Sequence, residues 1–220
     1  MLTRLVPIAI VLAARAAAAD PCTASLPNAR PTRLGVHLKD GLLAANDGAR
    51  FPAIRGDGAI AALFADSEDF SGDPITTLVV WSKTGARLGE LSLGGQRPVV
   101  DARAVERANK LLAGSWRELK AFACDEKAAS LELGGGLVAT VGADGVAHVA
   151  DRTARFPAPG TVGMGDPDLD GKPCGQITGI ARAFGTRTDG VVVLVPRRSL
   201  GGDSCFGATD AALAIAVRLR

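Results

Sequence analysis

Histidine and aromatic residues are scarce in this sequence, and their scarcity argues against two classes of site. The 220 residues include 2 histidines and no tyrosine, and aromatics make up 4%. His37 and His148 lie far apart, and neither a Cys-x-x-Cys nor a His-x-x-x-His spacing occurs, so no zinc motif is present. The chain also lacks the basic runs and stacking aromatics of a nucleic-acid binder. We therefore expect no nucleic-acid partner and predict that both histidines are ordinary strand residues.

Long apolar runs are also missing. A membrane-spanning helix needs about 20 consecutive apolar residues, and no segment of the sequence reaches that length. The first 19 residues instead follow the pattern of a secretory signal, with Arg4, an apolar run at residues 5–12 and small residues at 17–19. We expect residues 1–19 to be removed and the remainder to be exported, to the periplasm or the extracellular space, without a membrane span.

The cysteine count fits an exported protein. The 4 cysteines are Cys22, Cys124, Cys174 and Cys205, and an even number outside the cytoplasm indicates disulfides. Three pairings of four cysteines exist. We favour Cys174–Cys205, which closes the shorter loop, together with Cys22–Cys124, which fixes the start of the mature chain.

Turn signals dominate the local pattern. The dipeptide Asp-Gly recurs along the chain, and it readily adopts the positive φ angles of tight hairpin turns. Apolar runs flank several of these dipeptides. Hairpins are therefore predicted for residues 34–39 with 42–45, 137–141 with 146–150, and 180–184 with 191–195.

Other segments complete the secondary-structure prediction. Strands are predicted at residues 60–66, 77–82, 87–93 and 211–220. Residues 77–81 are apolar on both alternating faces, so this strand is expected to be covered on both sides. One helix is predicted to begin at Asp101, to place Val105, Ala108 and Leu112 on one side and to end at Gly114.

These elements predict a mainly β fold of antiparallel, hairpin-rich sheets with one short α-helix near residues 101–113. A distorted propeller and a sandwich-like pair of sheets both agree with the pattern. Residues 20–220 are expected to form a single β-rich domain. Two sub-lobes, 20–100 and 115–220, joined by the helix are the alternative arrangement.

Residues 51–93 carry a resemblance to one blade of a β-propeller of the WD40 or quinoprotein sort. The residues concerned are Asp57-Gly58 before an apolar strand, and Trp81 followed by a Thr84-Gly85 turn. Ser82 stands where such blades usually have aspartate. The resemblance covers about a fifth of the chain, and it implies a binding or scaffolding platform more often than catalysis.

An acidic loop suggests a calcium site. Asp166, Asp168 and Asp170 occupy alternate positions and Gly171 follows, as in the first half of an EF-hand loop. The second half differs, because Ile177 stands where the bidentate glutamate of that loop belongs. A plain turn accounts for the same residues, so calcium binding and a turn without metal are both retained.

The catalytic motifs in the sequence are incomplete. Gly202-Asp203-Ser204 is similar to the Gly-Asp-Ser of chymotrypsin-like proteases, with His148 as a candidate base, but Cys205 follows the serine where that family has glycine. An acidic cluster after a predicted strand could act in a glycosidase; its members are Asp66, Glu68, Asp69 and Asp73.

Three hypotheses follow from the sequence. The leading one is an exported, non-enzymatic β-rich module that binds an unknown protein or small ligand without a cofactor. The second is a structural module stabilised by calcium at residues 166–171. The third is an unrecognised hydrolase.

Overall fold

A computed structural model describes residues 31–39, 42–67, 74–93, 102–123, 130–142, 144–158, 175–198 and 210–219. These residues form a mainly β structure of antiparallel sheets, with two helices among them. Neither of these helices has the length and apolar character that crossing a membrane requires. The fold class predicted from the sequence is confirmed.

Most strands are short, and consecutive strands commonly pair. The strands are β1 (Val36–Lys39), β2 (Leu42–Ala45), β3 (Ala53–Arg55), β4 (Ile60–Ser67), β5 (Pro74–Trp81), β6 (Arg87–Leu93), β7 (Trp116–Glu118), β8 (Ala121–Ala123), β9 (Ser130–Glu132), β10 (Val138–Val141), β11 (Val146–Val149), β12 (Arg152–Arg155), β13 (Ile177–Phe184), β14 (Val191–Arg198) and β15 (Ile215–Arg218). The helices are α1 (Ala102–Leu111) and α2 (Asp210–Leu213).

The strands form one hairpin and three larger sheets. We call β1–β2 the first hairpin, β6-β5-β4-β3-β7 the five-stranded sheet, β15-β14-β13-β8 the middle sheet and β12-β11-β10-β9 the outer sheet. Four strands of the five-stranded sheet follow one another in sequence, and β7 joins them from beyond α1. The likeness of this region to a propeller blade stays a prediction.

Three hydrophobic cores hold these layers together. The helix core lies between the five-stranded sheet and its cover of α1 and the first hairpin, and it includes Leu43, Leu78, Ala108 and Trp116. The inner core joins the five-stranded and middle sheets, and it includes Phe64, Val79, Trp81, Val191 and Val193. The outer core joins the middle and outer sheets, and it includes Leu131, Ala147, Ile180, Val192 and Leu194.

Several of the described strands, β5 and β14 among them, are covered on both faces. In β5, Leu78 and Val80 face the helix core while Val79 and Trp81 face the inner core. The prediction that this strand is covered on both sides is therefore confirmed. In β14, residues 191–195 likewise alternate between the inner and outer cores, because successive side chains of a strand point to opposite faces.

The predicted hairpins are confirmed. β1 pairs with β2, β10 with β11 and β13 with β14, all antiparallel. Gly145 and Gly190 have positive φ angles of 73° and 70°, as tight turns between strands require. Asp189 accepts hydrogen bonds from the Thr186 amide (2.7 Å) and hydroxyl (2.8 Å), so its side chain closes the β13–β14 turn.

One detail of the sequence prediction is wrong. The pattern of the tail predicts one strand over residues 211–220, but Asp210–Leu213 form α2 before β15 begins. Leu213, Ile215 and Val217 recur at period two, and that period concealed the helical turn. Of the residues predicted on one side of the helix, Ala108 and Leu112 are buried and Val105 is half-buried, and Ala104 is buried as well. Small side chains allow the helix to lie close to the sheet.

Polar side chains add further contacts between layers that the inner core already joins. Asp189, whose side chain is 5% exposed, forms an ion pair with Arg117 of β7 at 2.5 Å, which ties the five-stranded sheet to the β13–β14 turn. Arg87 of β6 donates to the carbonyl oxygens of Ala211, Ala212 and Ala214 at 2.8 to 3.0 Å. These bonds fix the end of α2 against the five-stranded sheet.

Candidate binding cleft

A cleft opens between α1 and β6 at the edge of the five-stranded sheet. Its volume is about 210 Å³. Eight of the lining residues are apolar or glycine, namely Leu78, Val80, Leu88, Gly89, Leu91, Ala104, Ala108 and Leu111, and two are charged, Glu90 and Arg107. We call this feature the α1–β6 cleft.

The floor of the cleft belongs to the helix core. Leu78 and Val80 of β5 are each 1% exposed, and Leu91 of β6 is half-buried beside them. Leu78 lies opposite Leu91 in the antiparallel register, and Val80 lies opposite Gly89. The floor is therefore continuous apolar surface carried by two paired strands.

An irregularity in β6 forms one wall. Arg87 is paired with Trp81 and Gly89 with Val80, so Leu88 is an extra residue in the ladder. Such a β-bulge re-aims a side chain at the edge of a sheet. Leu88 lines the cleft and is 54% exposed, the highest value among the exposed large hydrophobic residues of the described chain.

Glycine at position 89 makes room for the end of the Leu111 side chain on the strand. A Cβ atom built at Gly89 would lie 2.7 Å from Leu111 Cδ1, which is closer than Cβ atoms come to other side chains. Leu111 therefore packs directly over the backbone of β6. One and two turns earlier, Ala108 and Ala104 present only methyl groups to the sheet, and the space beside them is the cleft.

The far end of α1 is held by Arg55. Its Nη1 donates to the carbonyl oxygens of Leu111 (3.2 Å) and Ala113 (3.0 Å), which lie at the C-terminus of the helix, where backbone carbonyls lack helical partners. The guanidinium also lies 5.0 Å from the centre of the Trp116 ring. This places a cation at the negative end of the helix, a favourable arrangement.

Asp57 orients that arginine. Its carboxylate accepts hydrogen bonds from Arg55 Nε (2.9 Å) and Nη2 (2.8 Å), and a third from the Ala59 amide (3.0 Å). The Arg55 hydrogen bonds, followed by that of the Ala59 amide, lower the pKa of Asp57 to about 2. Both Arg55 and Asp57 are thus engaged in holding the helix.

A second tie joins α1 to the first hairpin. Asn109 Oδ1 accepts from the Val36 amide (2.9 Å), and Asn109 Nδ2 donates to the Val36 carbonyl (3.0 Å). The side-chain amide thereby pairs with the strand backbone through both groups. The helical wall of the cleft is fixed from two sides.

Some charged side chains at the rim of the cleft form ion pairs and others do not. Glu90 forms an ion pair with Arg87 at 2.6 Å, and Glu106 forms one with Lys110 at 2.9 Å. Arg107 and Arg103, which lie one turn apart on α1 and are exposed, form no ion pair within the part of the chain that the structure describes. The helical rim of the cleft is therefore positive.

The two histidines do not meet. His37 of β1 is exposed and is hydrogen-bonded through Nδ1 to Asn46 Oδ1 at 3.0 Å. His148 of β11 is exposed between Thr140 and Thr153 of the neighbouring strands. One residue belongs to the first hairpin and the other to the outer sheet, so they share no site.

Most other residues singled out from the sequence lie outside the described ranges. This holds for Asp166, Asp168 and Asp170 of the calcium hypothesis, for all four cysteines (Cys22, Cys124, Cys174 and Cys205), for Ser204, and for Glu68, Asp69 and Asp73. Asp66 of the acidic cluster lies near the end of β4. Among the residues that are described, no three His, Cys, Asp or Glu side chains are grouped closely enough to hold a metal ion.

The cleft itself was not foreseen from the sequence. Its lining comes from three elements, β5, β6 and α1, and each residue taken alone fits an ordinary strand or helix. Gly89, directly after Leu88 and inside a predicted strand, is the one local signal that could have indicated it, because a glycine within a strand often marks a bulge. No protein-family model, curated protein or solved structure matches this chain.

Proposed function

We propose that this protein is an exported, non-enzymatic binding module and that the α1–β6 cleft is its binding site. The observation that carries the proposal is a concave apolar floor with a half-exposed leucine at its rim. Covering Leu88 with a partner stabilises the complex, because apolar surface removed from water contributes about 25 cal/mol per Å² to binding. Fixed walls keep the cleft open, so little ordering is needed on binding.

The size of the cleft favours one type of ligand. Sites for cofactors and drug-sized molecules commonly have volumes of roughly 300–1,000 Å³, which is more than the 210 Å³ found here. A single apolar side chain of a partner protein fits the smaller volume. Such a side chain would contact the apolar residues that line the cleft, namely Leu78, Val80, Leu91 and Leu111. Glu90, which also lines the cleft, is already paired with Arg87.

The experiment is a selection with a displayed library of random linear peptides against the folded protein. Enriched peptides are then measured on two cleft variants. Leu88→Asp places a charge at the rim, and Ala104→Leu fills the cleft from the helix. We expect both variants to lose binding, because each removes the space or the surface that an apolar side chain would use.

The matched control is Val138→Asp. Val138 is 43% exposed and lies on β10 of the outer sheet, so the substitution makes the same chemical change at a similar exposure away from the cleft. Binding should be unchanged in this variant. If no peptide is enriched, or if enriched peptides bind Leu88→Asp as well as wild type, the proposal is wrong.

A further inference from the structure

The strand that forms the cleft is also an edge of its sheet. β5 pairs with one side of β6, and no described strand lies on the other side. After the bulge at Leu88, residues 89–93 keep a regular antiparallel register with β5. Their outward N–H and C=O groups are therefore aligned for another strand, and extended peptides bind proteins by pairing with such edges.

A strand added here would lie beneath the flank of α1. Neighbouring strands are about 4.8 Å apart, and alternate side chains point to the same face. The face that carries Gly89 and Leu91 is the one that α1 covers. Every second side chain of an added strand would thus point toward Ala104 and Leu111, and one of them could enter the cleft.

The charge of the rim selects among extended peptides. Arg107 lines the cleft, Arg103 precedes it by one turn on α1, and both lack an ion-pair partner within the described ranges. Opposite charges across an interface accelerate association and fix its register. A carboxylate next to the apolar anchor would meet Arg107.

A second copy of this chain fits the same edge less well. In a symmetric dimer each surface faces its own copy, so pairing of two β6 edges would bring one α1 alongside another. Arg103 and Arg107 of each copy would then face like charges, which is unfavourable. A partner of opposite charge avoids this repulsion.

We propose that the α1–β6 cleft binds an extended acidic peptide segment, which pairs as a strand with residues 89–93 and inserts one apolar side chain between α1 and β6. This inference rests on the proposed function of the cleft and adds the class of partner and the mode of pairing. The apolar anchor supplies affinity, while the backbone bonds and Arg107 set direction and register.

The test compares two displayed libraries against the folded, full chain. One has random apolar centres flanked by Glu and Asp, and the other has the same centres flanked by Lys and Arg. Enrichment is expected from the acidic library alone. Its binders should weaken as salt is raised, because exposed charge pairs are screened.

Two substitutions separate charge from backbone pairing. Arg107→Glu should weaken binding of the acidic peptides and should improve binding of peptides whose acidic flank is exchanged for lysine. The control is Arg187→Glu, at an exposed position in the β13–β14 turn. This control should change the binding of neither kind of peptide. N-methylation of alternate peptide amides should reduce affinity about tenfold where the methylated N–H faces β6, since one hydrogen bond is lost. Methylation of the intervening amides should have little effect.

The results distinguish this inference from the proposed function. In two outcomes the cleft would remain a binding site while the acidic, strand-pairing partner would be overturned. In the first, peptides depend on Leu88 and Ala104 but tolerate N-methylation at every position. In the second, such peptides come equally from the basic library. Self-association of the wild type that Leu88→Asp abolishes would overturn this inference in favour of a second copy. Loss of binding in the N-methylated acidic peptides together with charge exchange at Arg107 supports it.

Discussion

The two faces of the five-stranded sheet are covered by different structures. One face packs on the middle sheet through large side chains, among them Phe64 and Trp81. The other face is covered by α1 and the first hairpin, and the buried residues that α1 brings to the cleft beside β6 are two alanines, Ala104 and Ala108. A sheet covers another sheet continuously, whereas a helix and a hairpin leave gaps between them. The cleft therefore follows from the type of cover rather than from a missing residue.

The largest expected effect is on the face covered by the middle sheet. Trp81 is 1% exposed and belongs to the inner core. Trp81→Ala should lower the free energy of unfolding by about 3–5 kcal/mol, because the lost burial is joined by the cost of a cavity. Denaturant unfolding followed by circular dichroism measures the change.

The control lies at the edge of the opposite face. Leu88→Ala removes a half-exposed side chain, and its effect should stay within about 0.5 kcal/mol. A loss for Trp81→Ala no larger than that of Leu88→Ala would show that the two faces are not packed differently.

The second effect concerns the polar tie between the five-stranded and middle sheets. Asp189→Asn removes a charge that accepts from Thr186 and pairs with Arg117. A loss of about 1.5–3 kcal/mol is expected, the range for hydrogen bonds to charged groups. A double-mutant cycle with Arg117→Met isolates the contribution of the ion pair. Additive effects of the two substitutions would mean that the ion pair contributes nothing to the contact between the sheets.

The difference between the two faces could be predicted from the sequence only in part. Both alternating faces of residues 77–81 are apolar, which correctly indicated a strand covered on both sides. The Asp-Gly dipeptides correctly indicated the hairpins, since turn chemistry is local. What covers each face is decided by pairing between distant segments, such as β3 with β7, and no local pattern reports it.

The candidate site was beyond prediction for the same reason. The cleft depends on a bulge at Leu88, on Gly89 admitting Leu111, and on the small size of Ala104, which come from separate elements. Short strands without apolar alternation, such as β12 with its sequence Arg152–Arg155, were missed as well. The sequence features that did suggest specific sites, the Asp166 loop for calcium and the cysteines for disulfides, lie outside the described ranges.

The third effect uses the same substitution on both faces. Ala62 is 1% exposed in the inner core, whereas Ala104 lines the cleft. Ala62→Leu should cost about 1–3 kcal/mol, because extra methylene groups in a filled core force other side chains to move. Ala104→Leu should cost less, because Ala104, although only 4% exposed, lines the cleft, where some of the added atoms can be placed, and leucine is a good helix former. Equal losses in thermal or denaturant unfolding would contradict the difference in packing.

The smallest effect concerns the arginine that holds the helix over its face of the sheet. Asp57→Asn weakens the orientation of Arg55, and because the pair is largely exposed, the expected loss is within about 1 kcal/mol near neutral pH. The pKa of Asp57 in the folded protein is about 2, below the value of about 3.9 in an unfolded chain. The carboxylate therefore stabilises the fold above pH about 4, and this contribution disappears as pH falls through about 2.

The measurement is the difference in unfolding free energy between wild type and Asp57→Asn at about pH 7, 4 and 2, which removes the effects of other carboxylates common to both proteins. Asp144→Asn is the matched control, because Asp144 also precedes a turn glycine but lies 3.9 Å from Arg155 in the ion pair they form. The difference for Asp57→Asn should shrink toward zero at the lowest pH and should exceed that of the control at the highest. A difference that stays constant with pH would mean that Arg55 holds the end of α1 without help from the Asp57 charge, so that the helical cover depends on the carbonyl bonds and the Trp116 contact alone.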